Sequence, residues 1–217
     1  MYAPLNRLDL RFFRRFGAQF NPRLHQSWRH SLQQQVRRLS TLTLCAVIYL
    51  GAIPLAYAYD PTAFMQSHVP GTKRNGDAEL RRYGKPVYSA ALYVNPDSFS
   101  PDDLTREPFA IDLAYQKACS GRSLASNIAS TMRDMGAGSS AQRKDWNAQL
   151  ARLLPNLSAN DHLTAVFSPG QGTGFFRNGD KLGDIGGNGF ARAFFGIWLN
   201  TKSTMPGVRQ GLLNGSS

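Results

Sequence analysis

The stretch Gly174–Leu199, GFFRNGDKLGDIGGNGFARAFFGIWL, carries the two signals that decide the fold. Its first half reads as a β-hairpin over Gly174–Gly183. Asn178-Gly179 is the residue pair that a two-residue turn favours, because both central positions take positive φ. In its second half Asn188 is placed to cap a helix over Phe190–Leu199, with Phe190, Phe194, Phe195 and Trp198 at helical spacing. An aromatic stripe of that size reads as core, since it buries too much apolar surface to stay in water. The glycines at 183, 186, 187 and 189 lie between hairpin and helix and match no phosphate-binding pattern, so they read as turn and cap residues.

Working outward, Leu163–Ser168 is a strand leading into the hairpin, and a short helix is expected over Val208–Leu213. Further upstream, Ser123–Met135 has Leu124, Ile128 and Met132 at four-residue spacing and ends at Gly136-Ala137-Gly138. Ala141–Leu154 repeats the amphipathic pattern through Trp146, Leu150 and Leu153 and stops at Pro155. Phe109–Tyr115 alternates, with Phe109, Ile111, Leu113 and Tyr115 on one buried face. Val87–Val94 is β-branched and aromatic, and Asn95-Pro96 stops it. Tyr59–Gly76, rich in Pro, Gly and polar residues, reads as an irregular lead-in. Strands, two helices, then strands and a helix, without steady βα alternation, give the class α+β with a mostly antiparallel sheet.

The N-terminal quarter is a different kind of chain. Of 217 residues, 25 are Lys or Arg and 14 are Asp or Glu, a formal net charge of +11. Eight arginines and one aspartate fall within residues 1–38, so +7 of that excess lies there, and Leu39–Ala58 carries no charged side chain. Arg37-Arg38, the apolar run Leu39–Pro54 and the small-x-small triplet Ala56-Tyr57-Ala58 together form an export signal. The expected division is therefore 1–58, a basic region and signal peptide cleaved near Ala58, and 59–217, one folded domain. The basic region is long for a signal, which points to initiation downstream of Met1. The location implied is periplasmic or secreted, or membrane-anchored if the signal stays attached, with transient membrane contact through this segment. The remaining +4 on the domain, without a basic helix carrying interleaved aromatics, gives no support to a nucleic-acid partner.

Chemistry is sparse in the domain. His68 and His162 are its histidines, far apart and without a metal-ligand pattern, and no motif calls for a cofactor. Ser168, His162 and an aspartate form a triad only on paper, and nothing resembles a nucleophile elbow. Asp102-Asp103 reads as a solvated loop pair. Cys45 falls in the signal, where Leu44 argues against lipidation, and Cys119 alone reads as a buried, inert thiol.

Taken in order, LRRYGKPVYSAALYV (80–94), PFAIDLAYQKACSGRSLASNI (108–128), Trp146, Leu154-Pro155, Asp161-His162-Leu163-Thr164, FFRNGDKLGDI (175–185) and FARAFFGIWL (190–199) resemble the bacterial branch of the chalcone isomerase-like family. The resemblance covers about Leu80–Leu213, with 80–94 as one long strand. It implies an antiparallel sheet with helices packed on one face around an apolar cleft. The family's enzymes close a flavanone ring, and relatives without that activity bind fatty acids through an arginine and a tyrosine. The enzymes' catalytic tyrosine falls on Leu124, their substrate-binding asparagine near Thr131 and a late Ser/Thr on Ile197. The binders' tyrosine falls on Tyr88, and their arginine on Arg81 with Arg82 beside it.

By their own chemistry these arginines also read as a solvated strand end, and Tyr88 as strand packing. The expectation is thus a non-catalytic domain for a small hydrophobic carboxylate such as a fatty acid, with Arg81, Arg82 and Tyr88 as ligand-binding residues. Two alternatives stand beside it: an intramolecular lyase or isomerase on an aromatic or enone-like substrate, and an envelope interaction module without ligand.

Overall fold

A computed structural model describes residues 59–214; the expected export signal, its expected cleavage site and Cys45 lie outside the described residues. The chain runs α1 (Pro61–His68), β1 (Lys73–Arg82), β2 (Lys85–Val94), β3 (Phe109–Tyr115), α2 (Gly121–Asp134), α3 (Ser140–Leu153), β4 (His162–Ser168), β5 (Gly172–Arg177), β6 (Asp180–Ile185), α4 (Asn188–Leu199) and α5 (Pro206–Leu213). The six strands form one sheet in sequence order, every neighbour antiparallel. The α+β class holds, and β3 spans the residues its alternation marked.

Two elements differ from the sequence reading. The stretch read as one strand over 80–94 is two strands, β1 and β2, folded back at Tyr83-Gly84. The lead-in is not irregular: Asp60 caps α1 by accepting the Thr62 N–H at 2.8 Å, and Pro61 opens the helix where its missing N–H costs nothing. Asn188 is the first residue of α4 rather than its cap. Gly187, at φ 90°, takes the cap, a conformation that admits glycine at little cost.

Period 2 sends alternate residues of each strand to opposite faces. On the inner face Tyr88, Ala90 and Leu92 of β2, the stripe Phe109 to Tyr115 of β3, and Phe167 and Phe175 meet α2, α3, α4 and α5. Helix α4 is buried nearly all round, and its rings interlock with the sheet: Phe109 on Phe195 at 4.5 Å, Phe175 on Phe194 at 5.2 Å. Helix α5 closes the β1 edge through glycines. A Cβ on Gly76 would lie 2.3 Å from the Gly211 carbonyl oxygen, and Asn75 Nδ2 donates to Leu212 O at 2.8 Å.

The outer face has its own small core. Phe64, Met65 and Val69 of α1 and its C-terminal turn cover Tyr93, Ala110, Val166 and Phe176. The second face of β3 is therefore buried too, including Asp112 at 3% exposure. A buried carboxylate needs partners. Thr164 Oγ1 donates to Asp112 Oδ1 at 2.6 Å and His162 Nδ1 lies 2.7 Å from Oδ2. The Tyr59 hydroxyl joins Thr164 at 2.8 Å. Hydrogen bonding to Asp112 holds the His162 pKa above its usual value against the opposing effect of burial.

Two outcomes are expected. A raised folded-state pKa stabilises fully below the ordinary histidine value of about 6.5 and is lost as pH rises through the folded value. The stability gap between the native chain and His162→Gln, read by urea melts, therefore shrinks from pH 5.5 to 8.5; a constant gap refutes the pairing. Gly76→Ala costs about 1–3 kcal/mol by overpacking α5 against β1, read by the same melts.

Candidate functional site

Register places Tyr88 of β2 directly opposite Tyr115 of β3, both facing the helices. The two side chains are buried, at 7% and 3% exposure, with ring centroids 5.7 Å apart. Trp198 reaches them from the last turn of α4, and its Nε1 donates to the Tyr88 hydroxyl at 2.9 Å. An indole N–H in a dry core requires such an acceptor. The Tyr88 proton is left facing Met205 Sδ at 4.0 Å, and a thioether is a weak acceptor. The Tyr115 hydroxyl is buried with no partner among the described residues. Two phenol donors thus sit side by side in the core with their capacity largely unspent.

Burial pushes the Tyr88 pKa up to about 12, opposed by the Trp198 hydrogen bond and the field of Arg82. Burial pushes Tyr115 higher still, and the neighbouring thiol and phenol add to it. Both phenols are therefore neutral donors near neutral pH, fitted to bind an anion and unsuited to act as bases.

The sequence-derived residues divide. Tyr88 lies at the centre of this group. Arg82, exposed at the end of β1, is the arginine whose charge acts on Tyr88. Arg81 is exposed and engaged on the hairpin itself, with Glu79 and with Gly84 O at 2.9 Å. Leu124 and Ile197 pack into the core, and Thr131 Oγ1 donates back to Asn127 O at 2.9 Å, a helix-internal bond. Tyr115, Trp198 and Met205 escaped the sequence reading as site residues. Alternation put Tyr115 on the buried face, but only register shows that it meets Tyr88.

Elsewhere the chemistry is structural. His162 has an acid partner, but Ser168 stands six residues along β4, about 20 Å away, so no triad assembles. Asp103 Oδ1 accepts from Thr105 N and Oγ1, a local turn. Cys119 is half-buried rather than buried, and that partial burial raises its pKa, which suppresses the reactive thiolate. Among the described residues no group of three or more His, Cys, Asp or Glu could hold a metal. A groove of about 340 Å³ between the α2–α3 turn and α4, floored by Met135 and Trp146, does not have Tyr88 in its lining.

A family model described as chalcone isomerase-like matches residues 79–214. No curated protein matches the sequence significantly. Among the solved structures that match is a fatty-acid binding protein of Arabidopsis thaliana, with a TM-score of 0.55 and 12% identity, covering 66% of this chain and 87% of that one. At that identity the likeness speaks for the fold. With the family model spanning well over half of the sequence, and the sheet and helices arranged as described, the chain belongs to the chalcone isomerase-like family.

Proposed function

We propose that this chain is an exported, non-catalytic member of the family's bacterial branch that binds a hydrophobic carboxylate such as a fatty acid. The observation that carries this reading is the pair of buried phenols, Tyr88 and Tyr115, with unspent protons beside the field of Arg82. A carboxylate accepting two phenolic O–H bonds would satisfy both at once. Hydrogen bonds to a charged group contribute about 1.5–3 kcal/mol each. An acyl tail adds about 0.8 kcal/mol per buried CH₂. Met205, the flexible side chain over Tyr88, is the group that must yield to admit the head group, and methionine repacks readily.

Apolar residues at Leu124 and Ile197 weigh against an isomerase, because neither can donate to a substrate oxygen or hold a catalytic water. That the Arabidopsis thaliana structure of the same fold is a fatty-acid binding protein supports the binding reading. Export is supported by Arg37-Arg38, the apolar run Leu39–Pro54 and Ala56-Tyr57-Ala58. One observation favours the interaction-module reading: Trp198 and Met205 already cap Tyr88, as a self-filled core would have it.

Lipid analysis by native mass spectrometry separates these readings. Retained fatty acid and a fatty-acid-induced rise in melting temperature are expected; absence of both contradicts binding. Tyr115→Phe is expected to stabilise the ligand-free protein by about 1–3 kcal/mol, since it removes a buried unpaired hydroxyl, while weakening fatty-acid binding roughly ten- to a hundredfold. Tyr88→Phe and Arg82→Gln should also weaken binding; unchanged affinity in all three places the ligand elsewhere. For export, the intact mass of the protein recovered after secretion should begin at Tyr59, and an uncleaved mass contradicts processing.

A further inference from the structure

Two hairpins of the sheet turn through the same backbone geometry but with very different residues. At β5–β6 the central pair is Asn178-Gly179, with φ of 49° and 89°. At β1–β2 it is Tyr83-Gly84, with φ of 52° and 75°. Asparagine suits the first of these positions because its short side chain tolerates left-handed backbone, whereas a bulky aromatic there is a true outlier. Among the described residues nothing compensates Tyr83: its side chain is 102% exposed and is the large apolar residue that the described surface leaves in water. A strained, fully exposed ring points outside the chain for its use.

Its surroundings say what kind of partner fits. Arg81, Arg82 and Lys85 flank the ring and are exposed. Glu79 offsets Arg81, but Arg82 and Lys85 make no ion pair among the described residues. Exposed Lys117 joins them at the same end of the sheet, where Gln116 N donates to Val87 O at 2.9 Å. One ring on a two-residue turn offers far less area than the roughly 1,000 Å² that a specific protein partner requires. A lipid headgroup layer makes no such demand: tyrosine settles at its depth, and basic side chains reach its phosphates. We propose that the Arg81–Lys85 hairpin tip docks on an anionic lipid surface, with Tyr83 seated among the headgroups and Arg82 and Lys85 on their phosphates. This docking does not depend on fatty-acid binding, although the tip stands at the end of the sheet that holds Tyr88.

The test uses the full chain labelled with 3-fluorotyrosine, without added fatty acid, on nanodiscs of phosphatidylcholine alone or mixed with phosphatidylglycerol. Both discs carry a headgroup nitroxide, and Tyr83→Phe identifies the Tyr83 signal. The basic N-terminal segment itself favours the mixed discs, so the charge-reversed hairpin, which keeps that segment, is the control for its contribution. The Tyr83 fluorine signal should be lost on the mixed discs and retained on phosphatidylcholine, and Arg82→Glu with Lys85→Glu should restore it. A signal retained on both discs, lost equally on both, or lost despite the charge reversals overturns the proposal. Tyr83→Asn should raise the melting temperature by relieving the turn; a lowered value removes the premise that the ring is kept for an outside contact.

Discussion

Helix α4 carries a stripe of large rings with apolar residues round most of its remaining surface, and a helix so constituted is stable only at the centre of a core. The sheet supplies that surroundings with Phe109, Phe167 and Phe175. Burial brings an obligation with it. The Trp198 indole N–H, taken out of water, needs an acceptor, and the Tyr88 hydroxyl is the one it finds at 2.9 Å. That single bond orients the Tyr88 oxygen, turns its proton toward the weak acceptor Met205 and leaves Tyr115 beside it unpartnered. The candidate site is thus a consequence of packing an aromatic helix against a sheet, where two facing tyrosines have more donors than the core has acceptors.

The outer layer solves a related problem differently. Asp112 is buried on the outer face, where α1 packs, and bonded by Thr164 and His162, with Tyr59 extending the network. Nearby Asp161 accepts from Ser158 N, Asn178 and Arg177, which together lower its pKa although burial opposes them. These polar groups are satisfied, as stability requires. The same fold pairs Asp112 and Asp161 yet leaves the buried Tyr115 and Thr173 hydroxyls without partners among the described residues, and Tyr115 is the one that faces Tyr88.

Much of this was legible in the sequence. The alternation of Phe109 to Tyr115, the Asn178-Gly179 turn and the periodicities of α2, α3 and α4 are local signals that tertiary packing reinforces. Strand β1 was not legible as such, because Lys73–Arg82 (KRNGDAELRR) lacks β-branched residues and extends only by pairing with β2. Helix α1 was hidden because its eight residues sit among turn-forming ones and gain their stability from covering the sheet. Tyr88 was found through family resemblance. Tyr115, Trp198 and Met205 were not, since their meeting depends on register and on the path from α4 to α5, which no local pattern encodes.

In the function proposed, the two inner phenols, with Arg82 near them, hold a carboxylate. Carbon-13 NMR of a carboxyl-labelled fatty acid bound to the protein tests it most directly. A carboxylate held by two phenol donors and a guanidinium field keeps its charge, so one bound resonance should persist unshifted as pH falls below the ordinary carboxylate range of about 4. A bound carboxyl that titrates as it does in water, or no bound resonance at all, would contradict the account.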